Sequence, residues 1–211
     1  MAVIDTNSTC TQEIATLQTH SVIAVGRYYS TYKPENKILR PEAEALIAAG
    51  IKIFVVFENC ANPVLTEKQG KIDANYALKQ AASLGQPHGS AIYFAAEGLP
   101  DGYTHSDVNN AKNYFTGINS IIGQKYKVGV YSNGVICKAL RLGAQPLCAY
   151  AWLSASLSFE GTIEYRDSHE WALFQRTPTD IDLGELSIDN DDAAADFGAF
   201  DTLAAPQQLE M

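Results

Sequence analysis

Leu39-Arg-Pro-Glu-Ala-Glu-Ala-Leu-Ile-Ala-Ala-Gly50, followed at once by Ile51-Lys-Ile-Phe-Val-Val-Phe-Glu58, is the stretch on which the fold turns. Pro41 near the first turn, acids just after it and Gly50 past the end mark the start and stop of a helix. The run from Ile51 to Glu58 is almost continuously apolar, as a strand covered on both faces must be. A helix leading straight into such a strand is half of a βα repeat. The same alternation extends in both directions. Upstream lie the runs Ala2–Asp5 and Ser21–Tyr29, with a helical segment from Cys10 to Thr19 between them. Downstream, Thr66-Glu-Lys-Gln69 reads as a capping box for a helix that stops at Gly85. Further runs follow at Ser90–Ala96, Lys127–Tyr131, Cys148–Leu153, Trp171–Gln175 and Glu185–Asp189, with helices expected over Ser106–Ile122 and Val135–Leu142. Alternation of this kind predicts an α/β fold: an irregular TIM-like β/α barrel of about eight strands. Too few residues separate the last two runs for a crossover helix, so hairpin-like connections are expected there. One barrel domain over residues 1–202 is predicted, with a frayed tail over 203–211.

Composition narrows the function. The chain has 211 residues, 46% hydrophobic and 18% charged, which is the profile of a chain with a packed core. Its formal net charge of −9 repels phosphate backbones and anionic lipid, so no nucleic-acid partner is expected. No apolar run approaches the roughly 18 residues of a spanning helix, so no membrane insertion is expected. No basic-then-apolar leader is visible at the N-terminus. Cys10, Cys60, Cys137 and Cys148 form no C-x-x-C pair and read as buried thiols. His20, His88, His105 and His169 have no metal-ligand spacing, and no dinucleotide, phosphate-loop or serine-elbow motif occurs. No metal and no cofactor is expected.

A β/α barrel carries its chemistry at the C-terminal ends of its strands. Those ends here are Asp5, Tyr28, Glu58, Glu97, Tyr131, Trp152, Gln175 and Asp189. Each apolar run stops, and a carboxylate, an aromatic or an amide comes next. Glycoside hydrolysis needs such a set: two carboxyl groups around an oxocarbenium-like transition state, aromatic faces for sugar C–H surfaces, and amides for hydroxyls. Bland roles compete with this reading. Asp5, with Thr6, Asn7 and Ser8 behind it, would serve equally as a helix cap. Tyr28, Tyr131 and Trp152 suit a packed core, and Glu58 an ordinary rim charge. Glu97 is harder to dismiss, because an unpaired acid buried after an apolar strand costs several kcal/mol.

At these residues the sequence resembles the glycoside-hydrolase-like domain family, bacterial cell-envelope domains related to the family 25 muramidases (lysozymes). The resemblance rests on Val3-Ile-Asp5-Thr6-Asn7, Val25-Gly26-Arg27-Tyr28, Leu39 through Ile51, Ile92-Tyr-Phe-Ala-Ala-Glu97, Tyr114-Phe115, Val128-Gly-Val-Tyr131, Trp171 through Gln175 and Ile188-Asp-Asn-Asp191. It implies an acidic cleft at the barrel top, a cell-wall glycan of the peptidoglycan type as substrate, and a place in the cell envelope or outside the cell. Asp5, Glu97 and Asp189 take the catalytic positions. Arg27, Tyr28, Glu58, Tyr131, Trp152, Gln175 and Asp191 are expected to bind the substrate, and the domain is expected to act as a monomer. One position departs from the pattern: the second acid of the strand-four pair is Leu99. That leaves two readings open, a muramidase-like hydrolase and a catalytically inactive barrel that binds carbohydrate or serves as an interaction module in an envelope or secretion system.

Overall fold

A computed structural model describes residues 1–31, 33–59, 64–96 and 104–205. In chain order the elements are β1 (Ala2–Asp5), α1 (Ile14–Thr19), β2 (Val22–Tyr29), α2 (Arg40–Ala48), β3 (Lys52–Phe57), α3 (Glu67–Leu84), β4 (Ala91–Ala95), α4 (His105–Ile122), β5 (Lys127–Ser132), α5 (Gly134–Arg141), β6 (Tyr150–Leu153), α6 (Thr162–Ser168), β7 (Leu173–Gln175), β8 (Ile181–Leu183) and β9 (Leu186–Ala193). Strands β1 to β7 pair in sequence order, each parallel to the next. Strand β9 closes the ring by pairing antiparallel with both β7 and β1. The result is the α/β, TIM-like barrel the alternation predicts, made irregular by one reversed strand. The short β8 forms a hairpin with β9 outside the ring, in keeping with the hairpin-like connection expected there.

Two local expectations need correction, and one helix was not expected. The last barrel strand spans Leu186–Ala193, not Glu185–Asp189, and runs against the other seven. Helix α6 has no side-chain cap at its start, only Gly161 in a left-handed turn, so no sequence signal announced it. Thr66 does cap α3 by accepting from the Gln69 N–H, but the Gln69 amide donates to Asp73 at 2.9 Å, so that capping box is only half made. A reciprocal box forms instead at Thr104 and Asp107, at the start of α4.

Two apolar layers result. The outer one lies between sheet and helices, and includes Val25, Ile53, Phe57, Leu46, Phe115 and Ile136. The inner one fills the barrel with Phe54, Tyr93, Tyr131 and Trp152 among others. Trp152 stands at the centre of this plug, edge-on to Phe54 with centroids 5.3 Å apart and to Tyr93 at 5.9 Å. Space for the rings comes from two strand glycines. A Cβ on Gly129 would strike the Tyr93 ring, and one on Gly26 would come within 2.6 Å of Phe54 and 2.7 Å of the Asp5 Cβ. The Gly26→Ala variant is therefore expected to lose about 1–3 kcal/mol by overpacking and to displace Asp5. Urea denaturation checks the first effect, and a drop in function beyond the stability loss checks the second.

The chain after β9 crosses the base of the barrel and closes it. Ala91 N–H donates to Gly198 O, Ile53 and Phe200 exchange backbone bonds at 2.8 Å, and the Tyr93 hydroxyl donates to Phe197 O at 2.8 Å. Ala204, within the stretch expected to fray, is tied down by its own bond to Gly85 O and by Arg40 donating to its carbonyl. Cys10, Cys137 and Cys148 are buried free thiols. Burial pushes the Cys10 thiol up to about 12, which removes thiolate reactivity near neutral pH. Cys60 lies outside the described residues. No helix among them is long and apolar enough to cross a membrane.

Candidate active site

With the base sealed and the lumen filled by rings, the open end of the barrel is the one where β1 to β7 terminate. Asp5 ends β1 there, and the β1–β9 register sets Asp189 directly opposite it and Asp191 opposite Val3, two residues deeper. In a strand, residues i and i+2 share a face. Asp189 and Asp191 therefore both look into the barrel, one above the other, beside Asp5. Gln175, the last residue of β7, pairs with Asp191 from the other side.

The Gln175 amide organises the cluster. Its Oε1 accepts from the Tyr131 hydroxyl at 2.9 Å and from the Ala155 backbone N–H at 3.3 Å. A backbone N–H only donates, so this end of the amide is the oxygen and the other is the nitrogen. Nε2 then donates to Asp189 Oδ2 at 2.5 Å and to Asp5 Oδ2 at 3.3 Å. One nitrogen touching both acids holds their nearest oxygens closer together than the roughly 6.5 Å at which inverting acid pairs begin. Asp5 Oδ1 also accepts from the Tyr28 hydroxyl at 3.4 Å. Asp189 Oδ1 accepts from the Asp180 backbone N–H at 2.6 Å. Asp180 aims that N–H from the left-handed region, φ 56°, which aspartate tolerates better than most residues.

Burial and mutual repulsion set the protonation chemistry. Asp5 is only 2% exposed, and burial first, then the negative charge of Asp189, holds its carboxyl well above the usual carboxylate range. Asp191 is 6% exposed and is raised in the same way, by burial first and then by Asp5. Asp189 is half-buried, and burial raises it as well. Three acids lie together with no cation among their hydrogen-bonding partners in the described residues, so they cannot all be ionised cheaply.

Above them is a hollow of about 50 Å³ lined by Asp5, Thr6, Asn7, Tyr28, Asp180, Ser187, Ile188 and Asp189. That is well under the roughly 300 Å³ of an ordinary ligand pocket. It is a small hollow with acids in its lining. Residues 60–63 and 97–103, which follow β3 and β4 in the chain, lie outside the described residues.

Of the residues singled out in the sequence, Asp5, Tyr28, Tyr131, Gln175, Asp189 and Asp191 come together. Glu97 lies outside the described residues, as does Leu99. Glu58 stands just beyond the end of β3, its N–H donating to Tyr29 O, and burial raises its carboxyl; it does not line the hollow. Two expectations are corrected. Arg27 does not face the cleft. It is fully buried on the outer side of β2, with Nε on Glu42 Oε1 at 2.7 Å and Nη1 on Thr6 O at 2.7 Å. Trp152 is 1% exposed inside the plug, and its indole N–H donates to Asp191 at 2.8 Å, so no face is free to stack on a sugar. The sequence reading missed Asp180 and Ser187. Asp180 acts through its backbone N–H, which a search for side-chain chemistry passes over. Ser187 shares the i, i+2 spacing with Asp189 and Asp191, and that spacing was legible once the strand was extended. Among the described residues, no group of three or more His, Cys, Asp or Glu side chains is arranged to hold a metal ion.

Comparison with known proteins agrees with this architecture. Residues 15–193 match the family described as Rv2525c-like, glycoside hydrolase-like domain. An uncharacterized protein, YbfG, of Bacillus subtilis (strain 168) is 29% identical over 202 residues, covering 87% of this chain and 27% of that protein. The chain thus spans about a quarter of that relative's length. The crystal structure of the Mycobacterium tuberculosis Tat-secreted protein Rv2525c in complex with L-tartrate superposes with a TM-score of 0.77, at 20% identity, over 94% of this chain and 98% of that one. The modular autolysin LytC of Streptococcus pneumoniae, in complex with a synthetic peptidoglycan ligand, gives 0.57 at 15% identity over 90% of this chain and 45% of that one. At these identities the structural likeness speaks for the fold.

Proposed function

Because this chain belongs to the Rv2525c-like, glycoside hydrolase-like domain family, we propose that its barrel acts on a cell-wall glycan of the peptidoglycan type, bound across the open end over Asp5 and Asp189. The observation that carries the reading is the convergence of these two acids on one Gln175 amide nitrogen. Two carboxyl groups on adjacent strands, with a tyrosine hydroxyl beside them, suit stabilisation of an oxocarbenium-like transition state. Glu97, on the chain leaving β4, is the remaining acid of the reading, in the role of proton donor.

The test is incubation with purified peptidoglycan and a panel of chitin oligosaccharides, with fragments read by mass spectrometry. Reducing-end muropeptide fragments are expected. A second reading, a barrel that binds glycan without cutting it, is favoured by Leu99 at the expected second acid and by the small hollow. Co-sedimentation with insoluble peptidoglycan without fragment release would select it. Neither release nor binding would overturn both.

A further inference from the structure

Asp191 has one oxygen satisfied and one bare. Its Oδ1 accepts from the Trp152 indole at 2.8 Å, whereas its Oδ2 is buried and has no hydrogen-bond donor. An ionised carboxylate left like this, at 6% exposure in a lumen of aromatic rings, carries a heavy desolvation cost. Its neighbour Asp5 is in the opposite position. Both Asp5 oxygens already accept, Oδ1 from the Tyr28 hydroxyl and Oδ2 from the Gln175 amide. The β1–β9 register sets Asp191 on the strand beside β1, two residues below Asp189, the partner of Asp5, and each of Asp5 and Asp191 bears on the titration of the other. Two acceptor-only groups cannot bond; one proton between them satisfies both. The bare oxygen is the place for it.

We propose that Asp191 is a positioning residue that stays a neutral carboxylic acid, donating from Oδ2 to Asp5 and so keeping Asp5 as the ionised member of the cluster, aimed at the hollow. Asp191 itself does not reach the substrate, contrary to the binding role expected for it. The groups that face it agree. They are Asp5 on β1, Asp189 on its own strand, Tyr93 on β4 and Trp152 on β6, and no cation stands among them. Arg176, at the end of β7, pairs on the exposed side with Asp192. Burial and the Asp5 charge act in the same direction, holding the Asp191 proton well above the usual carboxylate range. The role of Asp5 rests on the function proposed above; the protonation of Asp191 does not.

The sign of the pH effect follows from linkage. Asp191 has a raised value in the folded state, so the stability it allows is complete below the unfolded value, near 4, and is lost as pH climbs toward the folded value. Asparagine copies the neutral acid: its oxygen accepts from Trp152 and its amide donates to Asp5, with nothing to titrate. The melting temperature of Asp191→Asn should therefore equal that of wild type near pH 3 and exceed it by several degrees at pH 8. The infrared C=O stretch of a protonated carboxyl should be present in wild type at pH 7 and weaker by one carboxyl in Asp191→Asn. Asp191→Ala should fall below wild type at every pH, because it strands the indole N–H. If glycan turnover is found, Asp191→Asn should stay within a few fold and Asp191→Ala should not. An Asn variant no more stable than wild type at pH 8, or a wild type without the carboxyl band, overturns the proposal. Absence of turnover counts only against the function, since melting and infrared require no glycan.

Discussion

Replacing Arg27 by alanine is expected to destabilise the fold by about 3–5 kcal/mol, the usual result of removing one partner from a buried pair. The guanidinium is fully buried and Glu42 is 4% exposed, with Nε on Oε1 at 2.7 Å and Nη2 on Oε2 at 3.4 Å. Glu42 Oε1 also accepts from the Cys10 backbone N–H at 2.9 Å, and Arg27 Nη1 donates to Thr6 O. The pair thus pins both ends of the segment that follows Asp5. Without Arg27, the Glu42 charge and the Thr6 carbonyl remain buried with their strongest donor gone. Removing both charges is a different matter. Arg27→Met combined with Glu42→Met replaces the ions with apolar volume and should recover much of the loss, although the Cys10 N–H then lacks its acceptor. Chemical denaturation of the two variants checks this. A loss below 1 kcal/mol in Arg27→Ala would mean that the pair contributes little and that the Thr6–Cys10 segment is held by other contacts.

Arg27 also shows where reading from the sequence reached and where it stopped. The barrel was legible because βα units leave two clear marks, an apolar run for a strand covered on both faces and a cap or glycine at each helix end. Residues 39–58 carry both. The reversed strand was not legible in full. Leu186 to Ala193 buries one face against the helical layer and turns acids inward on the other, so it has no apolar run to mark its length. A polar lumen at one end of the barrel inverts the usual pattern. Strand alternation would have corrected one of the two site assignments, and not the other. Arg27 and Tyr28 are adjacent in β2, and adjacent strand residues point to opposite faces, so only one of them can line the cleft. Trp152 looked like a binding platform because its strand ends there, but its register partner Tyr131 and the Phe54 and Tyr93 rings enclose it. The depth of a side chain in a barrel depends on strand stagger, and no single strand's sequence encodes that. Asp5 and Asp189 were legible as acids at run ends; that they share one amide depended on the ring closing through an antiparallel pairing.

Asp5→Asn is expected to lower glycan turnover by about 100-fold or more while the fold holds or gains stability. Both halves follow from the same geometry. Asp5 is buried beside the Asp189 charge, so its own charge opposes folding, and burial with the Asp189 charge raises its carboxyl. Substituting a neutral amide of the same shape removes that repulsion. The melting temperature of Asp5→Asn at pH 7 should therefore match or exceed that of wild type. The carboxylate nonetheless has donors on both oxygens, from Tyr28 and Gln175, which is the arrangement that keeps an anion in a fixed orientation. An amide offers one oxygen where two stood and turns an N–H toward a donor, so it neither stabilises positive charge on a sugar ring nor keeps the network intact. Gain in stability with loss of function marks a site held against the preference of the fold. Fragment release measured alongside thermal melts separates the outcomes. Turnover lost with the fold intact supports the assignment. Unchanged turnover removes Asp5 from the chemistry, and a fall in melting temperature would mean that the carboxylate serves the structure instead.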